Sequence, residues 1–228
     1  MGWRNILLLF LMVAGLVTKS QDTIKFYRFT TAKYADVIIY NDSVTKKVFY
    51  NFFGKKTDEY TYLYDYLHGE AKGWYPNGNI KFKGRFFLNQ KDGKWYYWYK
   101  NGKTEAIEIY DKGKATGTWL TWYRSGKLLS RKSFIDDKLF GEYVIFYENE
   151  KPEIRAYYKN DTLNGIYTEY YSNGNKRYEV YYKNGTPTGV EKEWYSNGRM
   201  TLETINKLDS AKEAAAGKDS LILPFNKK

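Results

Sequence analysis

Beyond residue 68 the chain is a succession of short stretches in which aromatic and apolar residues alternate with polar ones, each closing on a turn-forming pair. Aligned on their first glycine, the stretches read GEAKGWYPNGN from Gly69, GKWYYWYKNGK from Gly93, GTWLTWYRSGK from Gly117, GEYVIFYENEK from Gly141, GIYTEYYSNGN from Gly165 and GVEKEWYSNGR from Gly189. The step between them is 24 residues throughout, and a tyrosine follows each glycine six positions later. Alternation over so few residues predicts half-buried strands, and a fixed period of this length predicts small units that bury their surface only by stacking on one another.

The first strand of a unit ends at Asn77-Gly78, Asn101-Gly102, Ser125-Gly126, Asn173-Gly174 or Asn197-Gly198. Such pairs between β-rich runs predict two-residue hairpin turns of type I′, with positive φ at both central residues. A second strand then runs to Phe86, Tyr110, Phe134, Tyr158 or Tyr182, and a looser loop such as Lys183 to Gly189 leads into the next unit. The expected fold is therefore all-β, an elongated antiparallel β-meander solenoid of about six 24-residue hairpins over residues 69–207, with contacts confined to neighbours.

A two-residue turn sets Tyr99 opposite Thr104, Trp98 opposite Glu105, Tyr97 opposite Ala106, Tyr96 opposite Ile107 and Trp95 opposite Glu108. Extended to every unit, this register gives two aromatic ladders. Tyr75, Tyr99, Tyr123, Tyr147, Tyr171 and Tyr195 face Ile80, Thr104, Leu128, Pro152, Lys176 and Met200, and form the expected concave, packed side. Trp74, Trp98, Trp122, Phe146, Tyr170 and Trp194 face the mostly polar Lys81, Glu105, Leu129, Glu153, Arg177 and Thr201, and form the solvated side. A bulged three-residue turn would instead pair Tyr99 with Lys103 and exchange the faces.

The ends are less regular. Residues 21–68 hold strand-like runs, Val37 to Tyr40, Lys47 to Phe53 and Tyr60 to Leu67, and Gly54 stands 24 residues before Gly78, so this segment reads as a β cap containing a degenerate repeat. The fourth unit has Asn149-Glu150 and Pro152 in its turn region, which predicts a kink or an altered turn. Residues 208–228 leave the pattern: Asp209 to Lys218 reads as a short helix, followed by a tail whose Leu221 and Leu223 would dock on the last repeat.

Composition agrees with a β fold, with 20% aromatic residues, 25 tyrosines and four prolines. At the start, Arg4 precedes an apolar run from Ile6 to Val17, and Thr18, Lys19 and Ser20 follow. The run is short of the roughly 20 apolar residues that a membrane-spanning helix needs, so residues 1–20 read as a secretory signal peptide and the protein as exported, in the periplasm, at the outer membrane or outside the cell. The chain has no cysteine, which excludes disulfides and a lipoprotein-type attachment. The formal charge is +11, and removal of Arg4 and Lys19 with the leader leaves +9. An anionic membrane surface or other acidic partner suits that charge, but the lysines are scattered through turns, and export argues against nucleic acid.

The stretch from Tyr110 through Gly113 to Gly117 and Trp119, then Trp122-Tyr123 and Gly126-Lys127, resembles the MORN repeat, and more closely the bacterial variant found in YwqK-type antitoxin-like proteins. Equivalent runs extend from Tyr158 to Gly174 and from Tyr182 to Gly198, and the resemblance covers about 140 of the 228 residues. It implies a β-hairpin array used for protein association or membrane proximity, and in some bacterial relatives an antitoxin partner. For an exported chain that role becomes one of immunity in the envelope.

Catalytic chemistry finds little support. His68 is the only histidine and stands at the entrance to the array, and no His/Cys cluster, P-loop or dinucleotide fingerprint is present, so neither metal nor cofactor is expected. Glu191 with Glu193, Asp136 with Asp137 and Asp58 with Glu59 are the carboxylate pairs that glycoside hydrolysis would need, and surface or turn roles suit them better. The best candidate is the ladder Trp74, Trp98, Trp122, Phe146, Tyr170 and Trp194, able to stack on an extended ligand or, alternatively, to pack under the stems of cross-strand residues. The leading expectation is a non-enzymatic, envelope-located scaffold for another protein; the alternatives are a binder of envelope carbohydrate or peptidoglycan, and an antitoxin or immunity partner.

Overall fold

The computed structural model describes residues 22–26, 34–39 and 43–206, with side chains from 43 to 202. The leader expected over residues 1–20, the helix over Asp209 to Lys218 and the tail beyond it lie outside the described residues. Everything described is β: nineteen strand segments in one antiparallel sheet. After β1 (Asp22–Phe26) and β2 (Tyr34–Ile39), the hairpins are β3/β4 (Val44–Tyr50, Lys56–Leu63), β5/β6 (Tyr66–Trp74, Ile80–Phe87) and β7/β8 (Gln90–Trp98, Thr104–Asp111). In the next three units a two-residue segment precedes the hairpin: β9 (Lys114–Ala115) before β10/β11 (Gly117–Trp122, Leu128–Ile135), β12 (Lys138–Leu139) before β13/β14 (Gly141–Phe146, Pro152–Lys159), and β15 (Thr162–Leu163) before β16/β17 (Gly165–Tyr170, Lys176–Lys183). The hairpin β18/β19 (Thr186–Trp194, Met200–Asn206) completes the meander, and each hairpin pairs with the next.

The turns reverse the expectation. At Asn101-Gly102, the Tyr99 N–H donates to the Lys103 carbonyl (2.9 Å), the Gly102 N–H donates to the Tyr99 carbonyl (2.8 Å), and only the glycine has positive φ, at 85°. This is a three-residue loop, a type I turn completed by a left-handed glycine. The two-residue type I′ turns lie at the loops read as loose: Leu88-Asn89, Lys112-Gly113, Asp136-Asp137, Asn160-Asp161 and Asn184-Gly185, with φ of 45° to 51° at the first residue and 64° to 88° at the second. The fourth unit makes the same three-residue turn as the others, without a kink. Glu150, at φ 67°, occupies the glycine's conformation.

The longer loop shifts the register by one residue, and a bulge one step later shifts it back. Trp98 stands opposite Thr104 instead of Glu105, Glu105 is the extra residue, and Tyr97–Ala106, Tyr96–Ile107 and Trp95–Glu108 pair as expected. The same bulge recurs in every hairpin from β3/β4 to β18/β19. The faces are therefore exchanged near the turn: Ile80, Thr104, Leu128, Pro152, Lys176 and Met200 pair with the tryptophan ladder, not the tyrosine ladder. The bulge residue turns to the tyrosine side, where the Lys81 ammonium lies 6.0 Å from the Tyr75 ring centre.

A second irregularity lies at the repeat glycine. Lys83 pairs with Tyr96 but Arg85 pairs with Asp92, a jump of two residues that accommodates Gly93 at φ 71°. At Gly165, with φ 136°, an added Cβ would come within 2.8 Å of the Tyr157 Cβ, so no other residue fits without backbone movement.

Among the described residues no second layer covers this sheet, and aromatic rings supply its packing on one face. Trp95, 3% exposed, stacks with Phe82 (6.0 Å between ring centres) and meets Phe86 edge-on (4.9 Å). Trp119 packs on Tyr110 (5.1 Å) and Phe134 (4.7 Å), Tyr143 on Tyr158 (6.1 Å), and Tyr167 on Tyr182 (6.1 Å). Trp95 lies flat over Gly84 and Phe82 over Gly73, where a side chain would collide with the ring. The packed row is thus four residues further from the turn than the tyrosine ladder. The opposite face carries ion pairs, Arg131 and Arg155 both meeting Glu142 (2.5 and 3.4 Å).

Candidate interaction surface

The ladder tyrosines act as clips between repeats. The first five hydroxyls donate to the main-chain carbonyl 23 residues further on: Tyr75 to Trp98 (2.8 Å), Tyr99 to Trp122 (2.6 Å), Tyr123 to Phe146 (2.6 Å), Tyr147 to Tyr170 (2.7 Å) and Tyr171 to Trp194 (2.9 Å). The turn asparagines repeat the step, Asn77 Nδ2 donating to the Lys100 carbonyl (3.0 Å) and Asn173 Nδ2 to the Ser196 carbonyl (2.6 Å). At the other edge of the sheet the type I′ turns dock on one another across 22 residues. Asp137 accepts the Ala115 N–H (2.6 Å) and Asp161 accepts the Leu139 N–H (2.7 Å).

Between clipped hairpins the tyrosine side opens into repeated grooves. One of about 380 Å³ is lined by Tyr97, Tyr99, Glu105, Ala106, Glu108, Thr121, Trp122 and Leu129. Three repeats on, its counterpart of about 470 Å³ is lined by Glu169, Tyr171, Arg177, Tyr178, Glu193 and Trp194. A third, about 620 Å³, runs along the turns between Tyr75, Asn77, Tyr99, Lys100, Asn101, Glu105 and Arg124. All three have aromatic walls; the first adds carboxylates alone and the other two add charges of both signs, linings suited to a polypeptide.

Burial raises the pKa of Tyr75, Tyr99, Tyr123 and Tyr147, and nearby carboxylates add to the effect, Glu105 for the first two and Glu153 for the last two. Burial and then Glu108 push Tyr97 and Tyr110 far above the usual phenol range. The Lys91 ammonium closes this cluster. It donates to the Tyr97 hydroxyl (2.6 Å) and lies 4.9 Å from the Trp95 ring centre and 4.8 Å from that of Tyr110. The cage is filled by the chain's own cation and serves as packing.

The tryptophan ladder is half-buried. Trp74, Trp122 and Trp194 each line a groove, whereas Tyr96 stacks on Trp98 (6.0 Å), and Lys56 and Lys176 lie over Trp74 and Trp194 (4.3 and 5.6 Å). Phe146 and Tyr170 contribute carbonyl acceptors to the clips. The carboxylate pairs separate: Asp137 caps a turn, Asp136 meets Lys114 (3.4 Å), and Glu59, 6% exposed, sits between Lys46 (2.6 Å) and Lys56. Glu191 hydrogen-bonds Tyr178, while Glu193 lines a groove. His68 packs on Phe87 (5.2 Å between ring centres), and its buried Nδ1 makes no hydrogen bond. Among the described residues no group of three or more His, Cys, Asp or Glu is placed to hold a metal ion.

Sequence reasoning overlooked the packed row and the grooves. The signal was there, since aromatic residues two and seventeen positions after the glycine recur in the second to fourth units as Trp95/Tyr110, Trp119/Phe134 and Tyr143/Tyr158. The expected two-residue turn assigns the faces beside the turn, which favours the ladders over this row. The family model described as MORN repeat variant matches residues 67–89, 91–112, 115–136, 141–160 and 163–184. No curated protein matches the chain.

Proposed function

The chain belongs to the MORN repeat variant family, whose repeats are commonly protein- and membrane-interaction modules, and on that footing we propose that it is an exported, non-catalytic scaffold that holds another protein along the tyrosine side of its sheet. The observation that carries this reading is the recurrence of one groove at equivalent positions three repeats apart, each time walled by aromatic rings and carboxylates between clipped hairpins. Grooves repeated along one side of the sheet suit an extended polypeptide contacting several units at once. Export rests on the apolar run from Ile6 to Val17, and it makes an immunity-type partner in the envelope a specific form of the same reading.

A photoreactive residue in place of Leu129, inside a groove, tests the proposal in cells producing the protein. The expected result is one defined protein adduct in the envelope fraction, absent when the probe replaces Lys83 on the opposite face. No adduct from either site, or the same adducts from both, would overturn it. A glycan reading draws on Trp122 and Trp194 at the groove walls. It requires that Trp122→Ala abolish binding to peptidoglycan fragments while leaving the melting temperature unchanged.

A further inference from the structure

The bulge near each turn leaves one residue unpaired, and in the first five repeats these residues are Lys81, Glu105, Leu129, Glu153 and Arg177. A bulge re-aims its extra side chain, and here it aims a row of them onto the tyrosine side. Lys81 lies 6.0 Å from the Tyr75 ring centre, Glu105 and Leu129 line one groove, Arg177 lines another, and Glu153 stands close enough to raise the pKa of Tyr123 and Tyr147. Among the described residues Lys81, Glu105 and Glu153 make no ion pair, and Arg177 meets only Glu169, at 3.4 Å. On the opposite face, by contrast, Arg131 and Arg155 are both satisfied by Glu142. The row therefore presents charges that the fold positions and does not itself consume.

Along the sheet the row runs positive, negative, apolar, negative, positive, one residue per hairpin. A hairpin is two strands wide, so the step is about 9.6 Å. The side chains on one side of an extended β segment repeat at about 7 Å, out of phase with it. An α-helix returns to one face after seven residues, about 10.5 Å, and drifts by about 4 Å over the four steps. A polyproline II helix has three residues per turn and rises about 3.1 Å per residue, so one side repeats every 9.3 Å or so and stays within about 2 Å of the row throughout. Beside each bulge residue stands a ladder tyrosine, and aromatic-lined grooves are what proline-rich segments dock into. We propose that the partner is held as a polyproline II segment in which every third side chain is, in order, acidic, basic, apolar, basic and acidic, set against Lys81, Glu105, Leu129, Glu153 and Arg177. The order is the same from either end, so it holds whichever way the segment runs. Like charges brought face to face reject the opposite order. This inference rests on the groove-based reading and adds the partner's conformation and charge order.

Two fluorescein-labelled peptides of one composition, blocked at both ends, test it: Glu-Pro-Pro-Lys-Pro-Pro-Leu-Pro-Pro-Lys-Pro-Pro-Glu, which matches the row, and Lys-Pro-Pro-Glu-Pro-Pro-Leu-Pro-Pro-Glu-Pro-Pro-Lys, which opposes it. By fluorescence anisotropy at low ionic strength, the full chain should bind the matched peptide at least about tenfold more tightly than the opposed one. Exchanging the row with Lys81→Glu, Glu105→Lys, Glu153→Lys and Arg177→Glu together keeps the net charge and should reverse the preference. Lys81→Glu with Glu105→Lys alone should narrow it. Equal affinity for the two peptides, binding of neither, or an unchanged preference in the exchanged chain would each overturn the proposal, as would equal binding of a peptide carrying the same charges at every second residue. The photoreactive probe at position 129 reports on the groove without reference to charge order. A defined adduct there alongside equal peptide affinities would overturn the charge row and leave the groove reading standing.

Discussion

A ladder tyrosine does two things with one side chain: its ring covers the edge of a groove, and its hydroxyl closes a hydrogen bond into the following repeat. Tyr123→Phe keeps the ring and removes the bond to the Phe146 carbonyl, so stability in urea should fall by about 1 kcal/mol. Glu59 offers a pH-dependent case. Burial would raise its pKa, but hydrogen bonds and charge attraction from Lys46 and Lys56 outweigh it and hold the folded value below the ordinary 4.5. Its contribution is therefore complete above the unfolded carboxylate value and is lost as pH falls through the lower folded one. Glu59→Gln should lower stability by about 2 kcal/mol at neutral pH and flatten the acid limb of a stability–pH curve measured by urea unfolding.

At the scale of the element, the period and the strands were legible, because the 24-residue step and the alternation both survive in the residues themselves. Turn type was not. An Asn-Gly pair serves a two-residue turn or the end of a three-residue turn equally well, and the choice lies in φ at the asparagine, which composition does not reveal. The pairing of Tyr97 with Ala106 came out as expected only because the longer loop and the bulge at Glu105 offset each other. Faces near the turn, where no such cancellation operates, came out exchanged. The groove followed the same fate, since its walls join residues on both sides of the bulge. Glu150 shows which constraint rules the turn: the backbone keeps its left-handed conformation without the residue that favours it. Glu150→Gly should raise stability by roughly 1 kcal/mol, while Gly126→Ala, at φ 93°, should lower it by a similar amount or more, both measured by thermal melting.

For the whole molecule, pairing only between neighbours means that stability is a chain of local terms. Val144, fully buried in β13, sits mid-array. Val144→Ala should remove roughly 2 kcal/mol locally, and native-state hydrogen exchange should show protection falling most in β10 to β17 and least in β5 to β7. Uniform loss across the sheet would indicate a single cooperative unit instead.

The tyrosine clip has one more consequence. Its acceptor is a main-chain carbonyl, a group that every unit offers whatever its side chains: Trp98, Trp122, Phe146, Tyr170 and Trp194 are all received alike. The joint between units is therefore blind to their identity. A whole 24-residue unit can be lost, duplicated or replaced while every remaining hydroxyl still finds a carbonyl, so the groove linings are free to diverge one by one on a framework whose assembly does not read them.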